Sequence, residues 1–183
     1  MENGEIRILV VVDMQKDFVD RALGTKEAAA IVPAVTEKIR RYAGRGDVVI
    51  ATRDTHESGY LQTQEGAHLP VPHCIRGSDG WELCDEVAAA LPADALIVDK
   101  PTFGSVALAE IVGKYVKARG AEHVHVEILG LCTDICVVSN ALLLKAFYPE
   151  MPISLDPGCC AGVTPESHRA ALETMRMCQI DLL

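Results

Sequence analysis

Cys136 lies in the run Gly130-Leu131-Cys132-Thr133-Asp134-Ile135-Cys136-Val137, where an apolar segment gives way to helical spacing. A thiol at a helix start faces unpaired backbone N–H groups and the positive end of the helix dipole. Both favour the thiolate, the nucleophilic form of cysteine, and the same N–H groups can hold the oxyanion formed when a carbonyl is attacked. Two further residues could bring charge to this sulfur. Asp13 ends the apolar run Leu9-Val10-Val11-Val12, and Lys100 ends Leu96-Ile97-Val98-Asp99. A carboxylate at the end of a buried strand is partly desolvated, which raises its pKa and makes it a better proton acceptor. A nearby ammonium would stabilise thiolate and oxyanion alike. Taken singly, Asp13 could be a turn-capping residue and Lys100 a surface lysine. Their weight comes from lying at strand ends, which converge in a parallel sheet.

A second constellation follows in Asp54-Thr55-His56, Glu65 and His73. Imidazole and carboxylate donors in this mixture suit zinc, manganese or iron, and an open position would remain for water or a ligand. His68 falls in the same stretch, and spacing does not exclude it as a ligand. His123 and His125 share a strand face but lie at the wrong end of it, and His168 falls in a first helical turn and reads as solvated. Cys159 and Cys160 are adjacent in a loop and read as inert.

The elements needed to position these groups alternate along the chain. Strands are predicted over 6–12, 47–52, 95–98, 123–129 and 152–155, with a short last one at 180–183. Helical spacing covers 26–43, ending at Gly44, then 105–118, 134–147 and 164–178. The last begins with Thr164 as N-cap and Pro165 at the first helical position. Apolar strands alternating with helices imply a parallel sheet covered on both faces, with ligands beyond the carboxyl ends of the strands. The irregular stretch from Thr55 to Gly80 exceeds the roughly 15 residues usual for an inert loop and reads as a binding loop. There is no internal repeat, linker or low-complexity segment, so residues 1–183 are expected to form a single domain.

The formal charge of −9 argues against a nucleic-acid surface and against anionic lipid. No apolar stretch approaches the roughly 18 residues of a membrane span. The acidic start Met1-Glu2-Asn3-Gly4-Glu5 lacks the basic opening of a signal peptide. The seven cysteines are odd in number and contain no C-x-x-C, so no disulfide framework is expected. These observations together predict a soluble, cytoplasmic protein. Aromatics make up 4%, so few residues are available to line a ring-binding pocket.

Five segments taken together resemble the isochorismatase-like cysteine hydrolases, and within them the nicotinamidases. They are Val12 to Phe18, Thr52 to His56, Pro72 to Gly77, Asp99-Lys100, and Gly130 to Val137, the last carrying the specific pattern G-x-x-T-D-x-C-V. The resemblance implies an α/β three-layer sandwich, with a six-stranded, mostly parallel sheet and helices on both faces. It implies a catalytic triad of Cys136, Asp13 and Lys100, with an oxyanion hole from the backbone N–H groups of Cys132 and Cys136 and a cis peptide between Leu131 and Cys132. It implies a divalent metal, zinc with manganese or iron as alternatives, on Asp54, His56 and His73 with Glu65, binding a pyridine nitrogen. Phe18 and Phe103 are the candidates for the substrate pocket. Many nicotinamidases carry Trp where this chain has Thr55, and Trp81 reads as a helix start.

The activity so implied is hydrolysis of a small-molecule amide, nicotinamide to nicotinic acid and ammonia, through a thioester on Cys136. The alternatives are an amidase for an N-carbamoyl or ureido compound, isochorismatase itself, and a silent binding module. A homo-oligomer is expected by analogy alone.

Overall fold

The computed structural model describes residues 4–183, so the first three residues of the acidic N-terminus lie outside it. Strand β1 (Ile6–Val12) is followed by a single helical turn α1 (Lys16–Val19) and the long helix α2 (Lys26–Arg45). Next come β2 (Val48–Asp54), the short helices α3 (Gln64–His68) and α4 (Asp85–Ala90), and β3 (Leu96–Lys100). Helix α5 (Val106–Arg119), β4 (Val124–Leu131), α6 (Val138–Phe147), β5 (Ile153–Ala161), α7 (Pro165–Met177) and β6 (Asp181–Leu182) complete the order.

The six strands form one sheet in the order β3-β2-β1-β4-β5-β6, and every pairing is parallel. The expected "mostly parallel" sheet is therefore wholly parallel. Right-handed crossovers put α2 and α4 on one face and α5, α6 and α7 on the other. Packing of α2 on α4, α5 on α6 and α6 on α7 agrees with this. Leu9 to Val12 of the central strand are fully buried, as a strand covered on both faces requires. Strand order reverses between β1 and β4. In such sheets the crevice beyond the strand ends at that reversal is the ligand site.

The predicted boundaries shift at several ends. Helix α2 runs through Gly44, and it is Gly46, at φ 73°, that ends it in a left-handed C-cap. β2 and β3 extend to Asp54 and Lys100, so these residues are the last of their strands and not the first of a loop. β5 is much longer than expected because it resumes after a bulge: Ile128 pairs with Leu155, but Gly130 pairs with Cys160. The stretch from 55 to 80 is not wholly irregular, since it holds α3 and two 3₁₀ turns. Trp81 ends one of those turns, and the helix expected there starts at Asp85. Thr164 and Ser167 make a reciprocal capping box at the start of α7, with Pro165 as predicted.

Candidate active site

β1 and β4 deliver the two ends of the site. They run side by side as far as the pair Val12–Gly130. Gly130 has φ 116°, and a Cβ there would lie 2.2 Å from the Val12 carbonyl oxygen, so only glycine lets the strands approach this closely. Immediately afterwards each chain turns sharply. Asp13 adopts φ 48°, a left-handed conformation that costs a non-glycine residue about 1–3 kcal/mol and is less adverse for Asp. Its N–H is held by the Thr52 carbonyl at 3.2 Å. Beyond β4, residues Thr133–Val137 form a π-type turn before α6, and the Cys132 carbonyl accepts the N–H groups of Ile135 and Val137. Such turns inside helices are frequent at functional sites. The predicted helix from 134 is thus an α-helix only from Val138.

The three strand-end residues meet. Lys100 Nζ lies 2.7 Å from Asp13 Oδ2 and donates to Cys136 Sγ at 3.4 Å. It also donates to the Thr102 carbonyl at 3.3 Å and sits 3.6 Å from Asp54 Oδ1. Asp13 and Lys100 are completely buried and Cys136 nearly so. Thr52 donates its hydroxyl to Asp13 Oδ1 at 2.6 Å. The approach of Lys100 to Oδ2 is off hydrogen-bond alignment, so among the described residues that buried oxygen has an ion pair but no aligned donor.

Burial pushes the Asp13 carboxyl above its ordinary range, with Lys100 opposing. Burial and the Asp13 charge push the Cys136 thiol well above its usual value. The helix-start argument favoured a resting thiolate. The geometry reverses that expectation, because desolvation and an adjacent carboxylate outweigh the turn dipole and Lys100. The sulfur rests as a thiol beside a carboxylate that is ion-paired with Lys100. Among the described residues every peptide bond is trans, Leu131–Cys132 included, unlike the cis bond that the resemblance implied. For a non-proline residue trans is favoured by about 3–4 kcal/mol.

The second constellation also assembles. One donor atom from each of Asp54, His56, Glu65 and His73 lies within 4.8 Å of all the others. His56 Nε2 is 2.9 Å from Asp54 Oδ2 and 3.5 Å from Glu65 Oε1, yet among the described residues this buried nitrogen has no aligned hydrogen-bond partner. A buried ring nitrogen without a partner is costly unless something else takes its lone pair. His73 Nδ1 donates to the Val71 carbonyl at 2.8 Å, which turns Nε2 toward the cluster as metal-ligating histidines require. Burial would push the Asp54 carboxyl up, but His56, His73 and Lys100 outweigh it and hold the group well below its ordinary range. Two nitrogens and two carboxylate oxygens make a divalent-metal ligand set. His68 is not part of it: exposed, it binds the Gln64 carbonyl through Nδ1.

Phe18 packs on His73, ring centroids 5.4 Å apart. Phe103 is 45% exposed on the loop after Lys100. Sequence reasoning missed Tyr60, whose buried ring contacts both His56 and His73 at 4.7 and 5.0 Å. It also missed Thr52 and Gln15; a buried glutamine that binds backbone carries no sequence signal beyond lying two residues from Asp13. His168 is not solvated as expected, since its Nδ1 is 2.8 Å from the buried Thr133 hydroxyl. His125 binds Ser154 and His123 stays at the surface beside Glu122.

The isochorismatase domain family matches residues 7–182. A nicotinamidase of Schizosaccharomyces pombe is 27% identical over 96% of this chain and 91% of its own length. A nicotinamidase/pyrazinamidase of Mycobacterium tuberculosis is 26% identical over 97% of this chain and 98% of its own. Among solved structures, the pyrazinamidase of Pyrococcus horikoshii in complex with zinc is 31% identical, with a TM-score of 0.81 over 97% of this chain and 98% of that one.

Proposed function

The chain belongs to the isochorismatase domain family, and from that premise we propose a cysteine-dependent amidohydrolase that converts nicotinamide to nicotinic acid and ammonia. The supporting observation is Lys100, whose single buried ammonium lies within 3.6 Å of Asp13, Cys136 and Asp54 at once. Nucleophile, proton acceptor and ligand set are therefore parts of one cluster. The nicotinamidase and pyrazinamidase relatives support the substrate.

In this mechanism Asp13 takes the thiol proton as Cys136 attacks the amide carbon, and a C–S bond forms. Desolvation makes the carboxylate a stronger base, and Oδ2, which the Lys100 ammonium approaches at 2.7 Å without an aligned hydrogen bond, is the oxygen that accepts the proton. The backbone N–H groups of Cys132 and Cys136 receive the oxyanion, and Lys100 balances the charge. Asp13 returns the proton to the departing nitrogen, the C–N bond breaks and ammonia leaves a thioester on Cys136. Asp13 then deprotonates water, which adds to the thioester carbon. The C–S bond breaks, and the sulfur recovers its proton from Asp13. A divalent metal on Asp54, His56, Glu65 and His73, with zinc preferred over manganese or iron, would supply a Lewis acid for the ring nitrogen. Phe18 and Phe103 would flank the ring. The seven unpaired thiols support a reducing, cytosolic compartment; self-association is part of the same proposal by family analogy.

The test is ammonia release from nicotinamide by zinc- or manganese-loaded protein beside Cys136→Ala. Activity in the wild type that vanishes in the variant is expected. Release by neither protein would remove nicotinamide as substrate, and N-carbamoyl and ureido amides would be assayed next. Equal release by both would remove the cysteine mechanism.

A further inference from the structure

Trp81 is the single tryptophan of the chain, and the mechanism does not use it. Three of its attachments nonetheless lead to three consecutive residues, while Arg76 lies over the indole ring, 5.7 Å from the centroid. Its indole Nε1–H donates to Thr55 Oγ1 at 2.8 Å. The indole N–H can only donate, and the Thr55 hydroxyl that accepts it gives its own hydrogen to the Arg53 carbonyl at 3.0 Å. The Arg53 guanidinium lies over the indole face, 3.6 Å from the ring centroid. The Trp81 carbonyl accepts from Gln15 Nε2 at 2.8 Å, and the same fully buried amide takes both backbone groups of Asp54. Gln15 donates to the Asp54 carbonyl at 2.8 Å and accepts its N–H at 2.7 Å.

Residues 53, 54 and 55 are thus all tied to Trp81, and the middle one is Asp54. Its carboxylate sits between Lys100 on one oxygen and His56 on the other. An Asp that must serve two partners needs its backbone fixed, since one rotation of the peptide would take Oδ2 away from the histidines. The bulk of a tryptophan could fill this space without any hydrogen bond. The indole N–H has instead found a hydroxyl adjacent to Asp54.

We propose that Trp81 is a positioning residue for Asp54, holding the metal-binding carboxylate in register through the indole–Thr55 bond. The proposal rests on reading Asp54, His56, Glu65 and His73 as a metal set. Partners that orient metal ligands are commonly worth about 10–100-fold in affinity.

The experiment compares wild type, Trp81→Phe, Thr55→Val and the double variant. Zinc affinity is read by competition with a chromogenic chelator, and ligand geometry by the visible absorption of the cobalt(II) form. Each single variant is expected to weaken zinc binding about tenfold and to shift the cobalt bands. The double variant is expected to lose no more than the weaker-binding single, because the two remove one shared bond. Melting temperature and the rate at which iodoacetamide labels Cys136 in metal-free protein should stay close to wild type. Wild-type affinity in both single variants would overturn the proposal. So would loss in Trp81→Phe alone, which is space filling, or additive losses, which are two unrelated effects. A wild type that binds neither zinc nor cobalt would refute the metal set itself, and this role with it.

Discussion

Lys38 and Lys100 are both buried ammonium groups held by carboxylates, one beneath α2 and the other at the carboxyl ends of the strands. Lys38 contacts Glu127 Oε1 at 2.5 Å and Asp156 Oδ2 at 2.7 Å, and Tyr42 donates to Glu127 Oε2 at 2.6 Å. Burial would lower the Lys38 pKa, but Asp156 and Glu127 outweigh it and leave the group above its ordinary value. Burial and the bond to Glu127 both raise Tyr42, so it remains a donor. Both oxygens of Glu127 have a donor. Around Lys100, by contrast, Asp13 Oδ2 and His56 Nε2 have charged neighbours at 2.7 and 2.9 Å but no aligned hydrogen bond among the described residues. The two clusters use the same side-chain chemistry and differ in how completely they are satisfied. A network whose every lone pair is matched can only hold the fold together. One that leaves a base oxygen and a ring nitrogen open keeps capacity for a proton and a ligand.

The contrast is tested most severely at the sulfur. Cys136→Ala should lower ammonia release from nicotinamide by at least about 10⁴-fold and leave the melting temperature close to wild type, because no charge is stranded. Asp13→Asn keeps the acceptor for Thr52 but removes the base, and a loss of about 10³-fold in kcat/KM is expected. Full activity in that variant would sink the assignment of Asp13. On the other side, Lys38→Met strands Glu127 in the interior. Chemical denaturation should show about 3–5 kcal/mol lost, with unchanged activity per folded molecule. If Lys38→Met abolished catalysis in folded protein, the division between the clusters would fail.

Smaller effects sharpen it. Thr52→Val removes the aligned hydroxyl donor to Asp13 Oδ1 at nearly constant shape, and kcat/KM should fall about tenfold. Asp156 is pushed up by burial, but Lys38 outweighs this and holds its carboxyl below the usual range. A depressed carboxyl contributes stability that is present above its unfolded value of about 3.9 and is lost as pH falls through the folded value. The stability deficit of Asp156→Asn relative to wild type, under about 1 kcal/mol for a group this exposed, should therefore be visible by chemical denaturation near pH 6 and shrink as pH falls below about 4.

The sequence made the active cluster easier to find than the structural one. Asp13, Lys100 and Cys136 each follow an apolar run, and in a parallel sheet such positions converge, so strand-end logic reached them without contacts. Asp54, His56, Glu65 and His73 were legible because their types are scarce in apolar chains and crowd one stretch. Lys38 looked like any lysine on the polar side of a long helix, and nothing local connects it to residues 127 and 156. Gln15, Thr52 and Trp81 escaped notice because they act through backbone and hydroxyl bonds whose partners are set only by register. The order of the alternating elements was legible, but the shared bulge of β4 and β5 and the π-type turn were not. Both are departures from periodicity, and periodicity was the signal being read.

Strand order reverses between β1 and β4, and the site is therefore divided along the chain as well as across the sheet. Asp13, the four proposed ligands and Lys100 all precede residue 101, while the sulfur lies after it. On the proposed mechanism, a chain growing from its N-terminus completes its proton acceptor, its cation and its ligand set before its nucleophile exists. The division coincides with an exposed loop at residues 101–103. Two fragments parted there would each be chemically silent, one carrying the groups that hold and one the atom that attacks. Hydrolysis restored on mixing them would report that the halves of the sheet had found each other.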